Sequence, residues 1–269
     1  MINSNIRDPV FAGRFYEGNS ARLNNQLVQL FNDVGNINTN SEIVTNSLQA
    51  LIVPHAGYVF SGKIAAAAYQ LLNREKKYKR IFILASSHLY SFDGLAVYNN
   101  GNYSSPLGEI KTDIKLATEL AEKSPLFVMH PEAHEAEHSV EVQLPFLQHI
   151  FGNEFLLVPL VLGTHNAETC HKIAEILQSW FTSENLFVIS TDFSHYPNYS
   201  DACETDKKTA DAICSNQPAT LISELNNNQN KHIHGLATSL CGWTSVLTLL
   251  YLTQGKSYSY HEIAYQNSG

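Results

Sequence analysis

Short apolar runs alternate with amphipathic stretches along this chain, and that alternation sets its expected architecture. Leu48 to Pro54, Arg80 to Ser87, Phe155 to Gly163 and Leu186 to Asp192 are rich in Val, Ile, Leu and Phe. Each has the length of a strand buried on both faces. Helical patterns lie between them: Ser61 to Arg74 with Ser61 as N-cap, Asp113 to Lys123, Glu137 to Phe151 interrupted by Pro145, and Ala167 to Phe181. Further helices are expected at 201–214 and 217–225, and an apolar helix from Ala237 to Tyr251. Ser257 to Gln266 alternates like a final strand. Two polar stretches punctuate the pattern. One, at 36–42, precedes the first strong strand, and Glu224 to His232 is expected to be a surface loop. Strand–helix alternation of this kind predicts a three-layer α/β fold with a central, mostly parallel or mixed sheet and helices on both faces. No repeat of fixed period and no Pro/Ser-rich linker divides the chain, so one domain is expected over 1–269.

Composition narrows the function classes. Of 269 residues, 44% are hydrophobic and 16% charged, which is globular and not disordered. Lys+Arg number 17 against 25 Asp+Glu, a formal charge of −8, so no basic stripe for nucleic acid is expected. No run reaches the roughly 18 apolar residues of a membrane span. Residues Met1 to Gly13 lack a basic stretch followed by an apolar one, so no signal peptide is expected. Cys170, Cys203, Cys214 and Cys241 form no CxxC pair, and are expected to be reduced thiols of a cytoplasmic protein.

The chemistry gathers at strand ends, where open α/β sheets bind ligands. The first apolar run ends in Pro54-His55-Ala56-Gly57, the second in Ser86-Ser87-His88, and the fourth in Asp192-Phe193-Ser194-His195. Three histidines, His55, His88 and His195, thus follow three separate strands and are placed to share one crevice. Neutral imidazoles suit iron, copper, zinc and nickel. Two histidines need a further ligand, for which Asp192, His195, His138, Glu141 and Cys241 are available. The alternative is that backbone hydrogen bonds satisfy each histidine where it stands. A rival pair, His134 and His138, lies four apart in a His/Glu-rich segment beginning at His130, with Pro131 at a helix start. A solvated helix start explains that segment equally well. His232-Ile233-His234 is expected at the surface. Ser86, Ser87 and Ser139 are nucleophile types that only nearby histidines support. Neither GxGxxG nor GxSxG occurs.

Six segments, in order, resemble the Memo-like proteins, known in bacteria as AmmeMemoRadiSam system protein B. They are Asp8-Pro9-Val10-Phe11-Ala12-Gly13-Arg14-Phe15-Tyr16, Pro54 to Gly62, Ser86-Ser87-His88, Glu137 to Phe146, Ser190 to His195, and Cys241-Gly242. The resemblance spans nearly the whole chain. It implies a fold similar to the class III extradiol dioxygenases, which hold Fe(II) with two histidines and a carboxylate. In Memo-like proteins the corresponding pocket uses two histidines and a cysteine, which by motif are His55, His88 and Cys241. His195, Asp192 and His138 would line the same pocket as the catalytic candidates.

A cysteine in place of the carboxylate sets this pattern apart from the ring-cleaving enzymes. A thiolate is a softer ligand and favours Cu(I), zinc or low-potential iron. Three functions are compatible with the resemblance. The first is a metal-dependent oxidoreductase of extradiol-dioxygenase type, using Fe(II), with copper or zinc as alternatives. There His195 serves as acid/base and Asp192 orients it or a bound water. The second is a non-catalytic protein that binds a peptide or small molecule in the pocket, or handles metal. The third is a hydrolase with zinc-activated water and Glu137 or Asp192 as base. The bacterial family name also implies a radical-SAM pathway partner.

Overall fold

The computed structural model describes residues 5–36 and 48–267. In chain order the elements are β1 (Ile6–Arg7), α1 (Ser20–Asp33), β2 (Ala50–Val53), α2 (Tyr58–Tyr69), β3 (Arg80–Ser86), β4 (Leu95–Val97), β5 (Asn102–Ser105), β6 (Gly108–Ile110), α3 (Ile114–Lys123) and β7 (Phe127–Met129). They continue with α4 (Glu132–Glu135), α5 (His138–Glu141), α6 (Leu144–Phe151), β8 (Leu156–Leu162), α7 (Ala167–Leu177), β9 (Asn185–Ser190), α8 (Tyr199–Cys214), α9 (Pro218–Asn230) and α10 (Trp243–Thr253).

Among the described residues, six strands form a mixed sheet in the order β2-β9-β3-β8-β4-β7. β2, β9, β3 and β8 run parallel, and β4 is antiparallel to β8. Alternation along each central strand feeds two apolar layers. Ile81, Ile83 and Ala85 of β3, with Leu186 and Val188 of β9, face the layer formed with α1, α2 and α6. Phe82 and Leu84, with Phe187 and Ile189, face the opposite layer with α3, α7 and α10. Phe82 and Phe187 stack at 4.5 Å between ring centres. Both are fully buried, and each such side chain contributes about 1.5–3 kcal/mol. The architecture is therefore the expected three-layer α/β fold. A small second sheet, β1-β5-β6, ties the N-terminus to the middle of the chain.

Several local expectations are corrected. α2 begins at Tyr58, not Ser61; Ser61 lies inside its first turn and donates through Oγ to Ala56 O at 3.0 Å. α9 runs on to Asn230, so most of the polar stretch from Glu224 is helix. Its Asn228 is buried and donates to Thr209 Oγ1 on the neighbouring α8. α10 starts at Trp243, which leaves Cys241 in the preceding turn. Ser257 to Gln266 pairs with no strand. Its tyrosines anchor it by their hydroxyls instead: Tyr258 to Gln49 Oε1 and Tyr265 to Asp206 Oδ2, while Tyr260 pairs with Thr253 Oγ1. Apart from Asn36, the polar stretch at 36–42 lies outside the described residues. Among the described residues no helix is long and apolar enough to cross a membrane.

Candidate metal centre

The strand order brings the chemistry together. β2, β9 and β3 are adjacent and parallel, so the residues after all three emerge at one edge of the sheet. His55 follows β2, His88 follows β3, and Asp192 and His195 follow β9. Cys241 reaches the same place from the turn before α10. Its backbone N–H donates to Asp192 O at 3.1 Å, and Gly242 N–H donates to Thr191 Oγ1 at 2.8 Å. Only glycine fits at 242, because a Cβ there would come within 2.6 Å of Thr191 Cβ and 2.7 Å of Ser190 O.

One donor atom each of His55, His88 and Cys241 lies within 4.8 Å of the other two. The hydrogen bonds around them fix the tautomers. Ser190 Oγ donates its one proton to Ser139 O at 2.6 Å and also receives Gln143 Nε2 at 2.9 Å. Towards His55 Nδ1, at 3.0 Å, it can only accept. His55 therefore carries its proton on Nδ1 and presents Nε2 to Cys241 Sγ at 3.1 Å. His88 donates from Nδ1 to Glu137 Oε1 at 2.8 Å, which leaves Nε2 for the centre. Both imidazoles thus have one nitrogen anchored and one available, the arrangement of metal-ligating histidines.

Electrostatics couple these groups. Burial resists ionisation of Cys241, but His55 and hydrogen bonds from His195, His55 and His88 hold its pKa down at about 3. Asp192 N–H also donates to the sulfur at 3.2 Å. Burial opposes protonation of His88, yet Cys241 and Glu137 raise its pKa to about 10. His55, 2% exposed, is likewise raised: burial works against its charge and Cys241 and Asp192 outweigh it. A thiolate facing imidazoles is the donor set that soft or borderline metals take. Tetrahedral zinc distances need donor spacings of about 3.5 Å. The His55–Cys241 spacing is a few tenths shorter, so the cluster fits such an ion with a small opening.

The other candidates surround this cluster. His138 stacks beside it, with ring centres 4.4 Å from His88 and 5.1 Å from His55, and under Phe15 at 5.0 Å. Burial and its two histidine neighbours lower its pKa to about 4, so it is neutral. His195 forms a bridge to Thr238, and a hydrogen bond with Cys241 raises its pKa. Asp192 Oδ1 accepts the backbone N–H of His55 at 2.8 Å and of Ala56 at 3.3 Å, which pins the turn that carries His55. Glu141 is committed elsewhere. It is fully buried and accepts from Arg7 Nη1, Tyr16 Oη and the N–H groups of Val10 and Phe11. Ser86 is engaged with Thr244 and Ser245.

Two expectations about 130–138 are corrected. The helix is interrupted at Ala136 and Glu137, which separates α4 from α5, so His134 and His138 do not share a helix face. The segment is solvated only in part: Glu132, Glu135 and Ala136 are exposed, while His134 is 0% and Glu137 1% exposed. Glu137 takes four hydrogen bonds, from His88 N and Nδ1 and from Ser139 N and Oγ. Burial opposes its charge, but those donors bring its pKa to about 2, far below that of a general base at neutral pH. Sequence reasoning missed Ser190 and Gln143, whose value lies wholly in tertiary placement.

His134 carries a measurable pH signature. Its Nε2 donates to Ala96 O and its Nδ1 accepts from Tyr103 Oη, and burial lowers its pKa to about 3. The unfolded chain takes up this proton below about pH 6.5, while the folded chain refuses it until about 3. Stability is therefore lost as the pH falls through that window. Between pH 6.5 and 4.5 the loss from this residue is about 2 kcal/mol. Denaturant midpoints of the wild type and His134→Gln should show that extra slope in the wild type only; parallel slopes would refute it.

Comparison with known proteins shows the family. Residues 7–269 match the family model described as Memo-like protein. A MEMO1 family protein of Sulfolobus acidocaldarius is 30% identical over 257 residues, 93% of this chain and 88% of its own. One of Desulfurococcus amylolyticus is 29% identical over 269 residues, 98% of this chain and 92% of its own. Among solved structures, uncharacterized protein JW3007 from Escherichia coli K12 aligns with 68% of this chain and 77% of its own, at TM-score 0.42 and 13% identity, too distant to bear on function. Matched from its seventh residue to its last, with relatives aligned along nearly their full lengths, this chain belongs to the Memo-like protein family.

Proposed function

We propose that this chain is a metal-dependent oxidoreductase whose ion is held by His55, His88 and Cys241, with Fe(II) as the first choice and copper or zinc as alternatives. The carrying observation is the trio of donor atoms within 4.8 Å, with the second nitrogen of each imidazole already anchored, on Ser190 and on Glu137. When bound, the ion supplies a Lewis-acidic or redox centre with open positions for a substrate. The chain's own residues do the rest. His195 and neutral His138 flank the centre as groups able to hold or pass a proton. Phe11 and Phe15 cover His138 and exclude water from that side. Asp192 fixes the His55 turn.

The test is anaerobic loading with Fe(II), Cu(I) or Zn(II), counting metal per chain. Wild type should bind about one equivalent, and Cys241→Ser and His55→Ala should lose it. Equal metal in wild type and variants, or none in wild type, would refute the site. Metal bound without any O₂ consumption would favour the metal-handling reading that the soft thiolate also suits.

A further inference from the structure

Beside the metal centre lies a cavity of about 930 Å³, within the size range of small-molecule pockets. Asp192 and His195 line it on the side of the centre. Phe60, Tyr196 and Tyr199 line it towards solvent, and they are 63%, 82% and 65% exposed. Large aromatic side chains usually bury most of their area, and three displayed around one cavity form an unused contact surface.

Tyr196 is held in place against its own preference. Its φ of 69° lies in the left-handed region, which bulky residues rarely enter. The residues around it over-determine that turn. His195 N–H donates to Thr238 O, and Ala237 N–H donates to His195 O. The Tyr196 carbonyl packs where a Cβ on Gly235 would meet it at 2.6 Å. The turn thus presents the Tyr196 ring beside His195, with ring centres 5.8 Å apart, and otherwise open to solvent.

The charge in the cavity selects the ligand. Asp192, Asp206 and Glu262 line it, and its lysine, Lys207, is paired with Asp211. Among the described residues Asp206 accepts from neutral donors alone, Ser194 N and Tyr265 Oη. Ring faces attract cations through their quadrupole, and carboxylates lining the same cavity reinforce the preference. Asp192 already faces His55 Nε2 at 3.9 Å, so Asp206 and Glu262 carry the preference: they would repel an anion, and a neutral ring would leave Asp206 without a counter-charge.

We infer that this cavity binds an organic ammonium ion against the rings of Phe60, Tyr196 and Tyr199. As the substrate class of the metal pocket the inference rests on the reading above; as a binding site it stands without it. The probe is phenethyltrimethylammonium, titrated calorimetrically into chelator-treated and metal-loaded protein. The cation should bind at least about tenfold more tightly than neutral phenethyl alcohol or anionic 3-phenylpropionate, and Tyr196→Ala should lose about tenfold. Tyr196 is exposed, so this variant tests binding and not folding; Phe60→Ala gives the same reading from the other side. His55→Ala should abolish metal and keep the cation. Cation binding without metal binding would overturn the oxidoreductase reading and sustain this one. Metal binding without cation binding, an anion bound as well as the cation, or an unaltered Tyr196→Ala would overturn the ammonium site.

Discussion

Glu141→Ala is expected to destabilise the protein by about 3–5 kcal/mol, because it leaves a buried guanidinium without its counter-charge. Arg7 and Glu141 meet at 2.8 Å with side chains 2% and 0% exposed. The carboxylate also holds Tyr16 Oη at 2.7 Å and the N–H groups of Phe11 and Val10. Arg7 in turn donates to the carbonyls of His134 and Glu137. Six partners lose their arrangement at once, and the segment from Arg7 to Tyr16 loses its anchor. Lysine at position 7 cannot replace the fork, since one ammonium cannot reach three directions. Urea denaturation of Glu141→Ala and Arg7→Lys measures this as a drop in midpoint at unchanged slope. A change under about 1 kcal/mol in Glu141→Ala would mean that the pair behaves like a surface ion pair.

Glu137→Gln is expected to lower metal affinity by roughly 10–100-fold, the usual effect of removing an outer partner of a ligating histidine. The carboxylate accepts on both oxygens, from His88 Nδ1 and Ser139 on one and from His88 N–H on the other. An amide can accept on only one side. Its NH₂ would face a donor, either the His88 backbone or Ser139, and the ring would turn. The comparison is competition with a chromophoric chelator, wild type against Glu137→Gln and Glu137→Asp. Unchanged affinity in the glutamine variant would show that His88 is oriented by something other than this contact.

The layers were legible because β3, β8 and β9 are built around unbroken apolar runs, Ile81 to Ala85, Leu156 to Leu162 and Leu186 to Ile189. The strand-end rule then located His55, His88 and His195 without any knowledge of strand order. What stayed hidden had no periodic signature. β1 has two residues and β5 reads Asn-Tyr-Ser-Ser, so neither shows an alternation that a sequence can display. Ser257 to Gln266 does alternate, but its tyrosines found hydroxyl partners and its backbone found no strand. The stretch from Glu224 looks like a loop by composition, and tertiary contact through Asn228 overrode it. His134 looked like a partner of His138, and a two-residue break between α4 and α5 sent it to Tyr103 instead.

The three donors of the centre stand at positions 55, 88 and 241 of 269. A ribosome making this chain therefore releases a pair of histidines long before the thiol that completes them exists. The fragment up to α9 holds the imidazole pair without Cys241, and its apolar layer still lacks α10. On the proposed reading, metal uptake would follow translation, once the last helix has arrived. A chain that stalls or is clipped before residue 241 would lack the third of these donors.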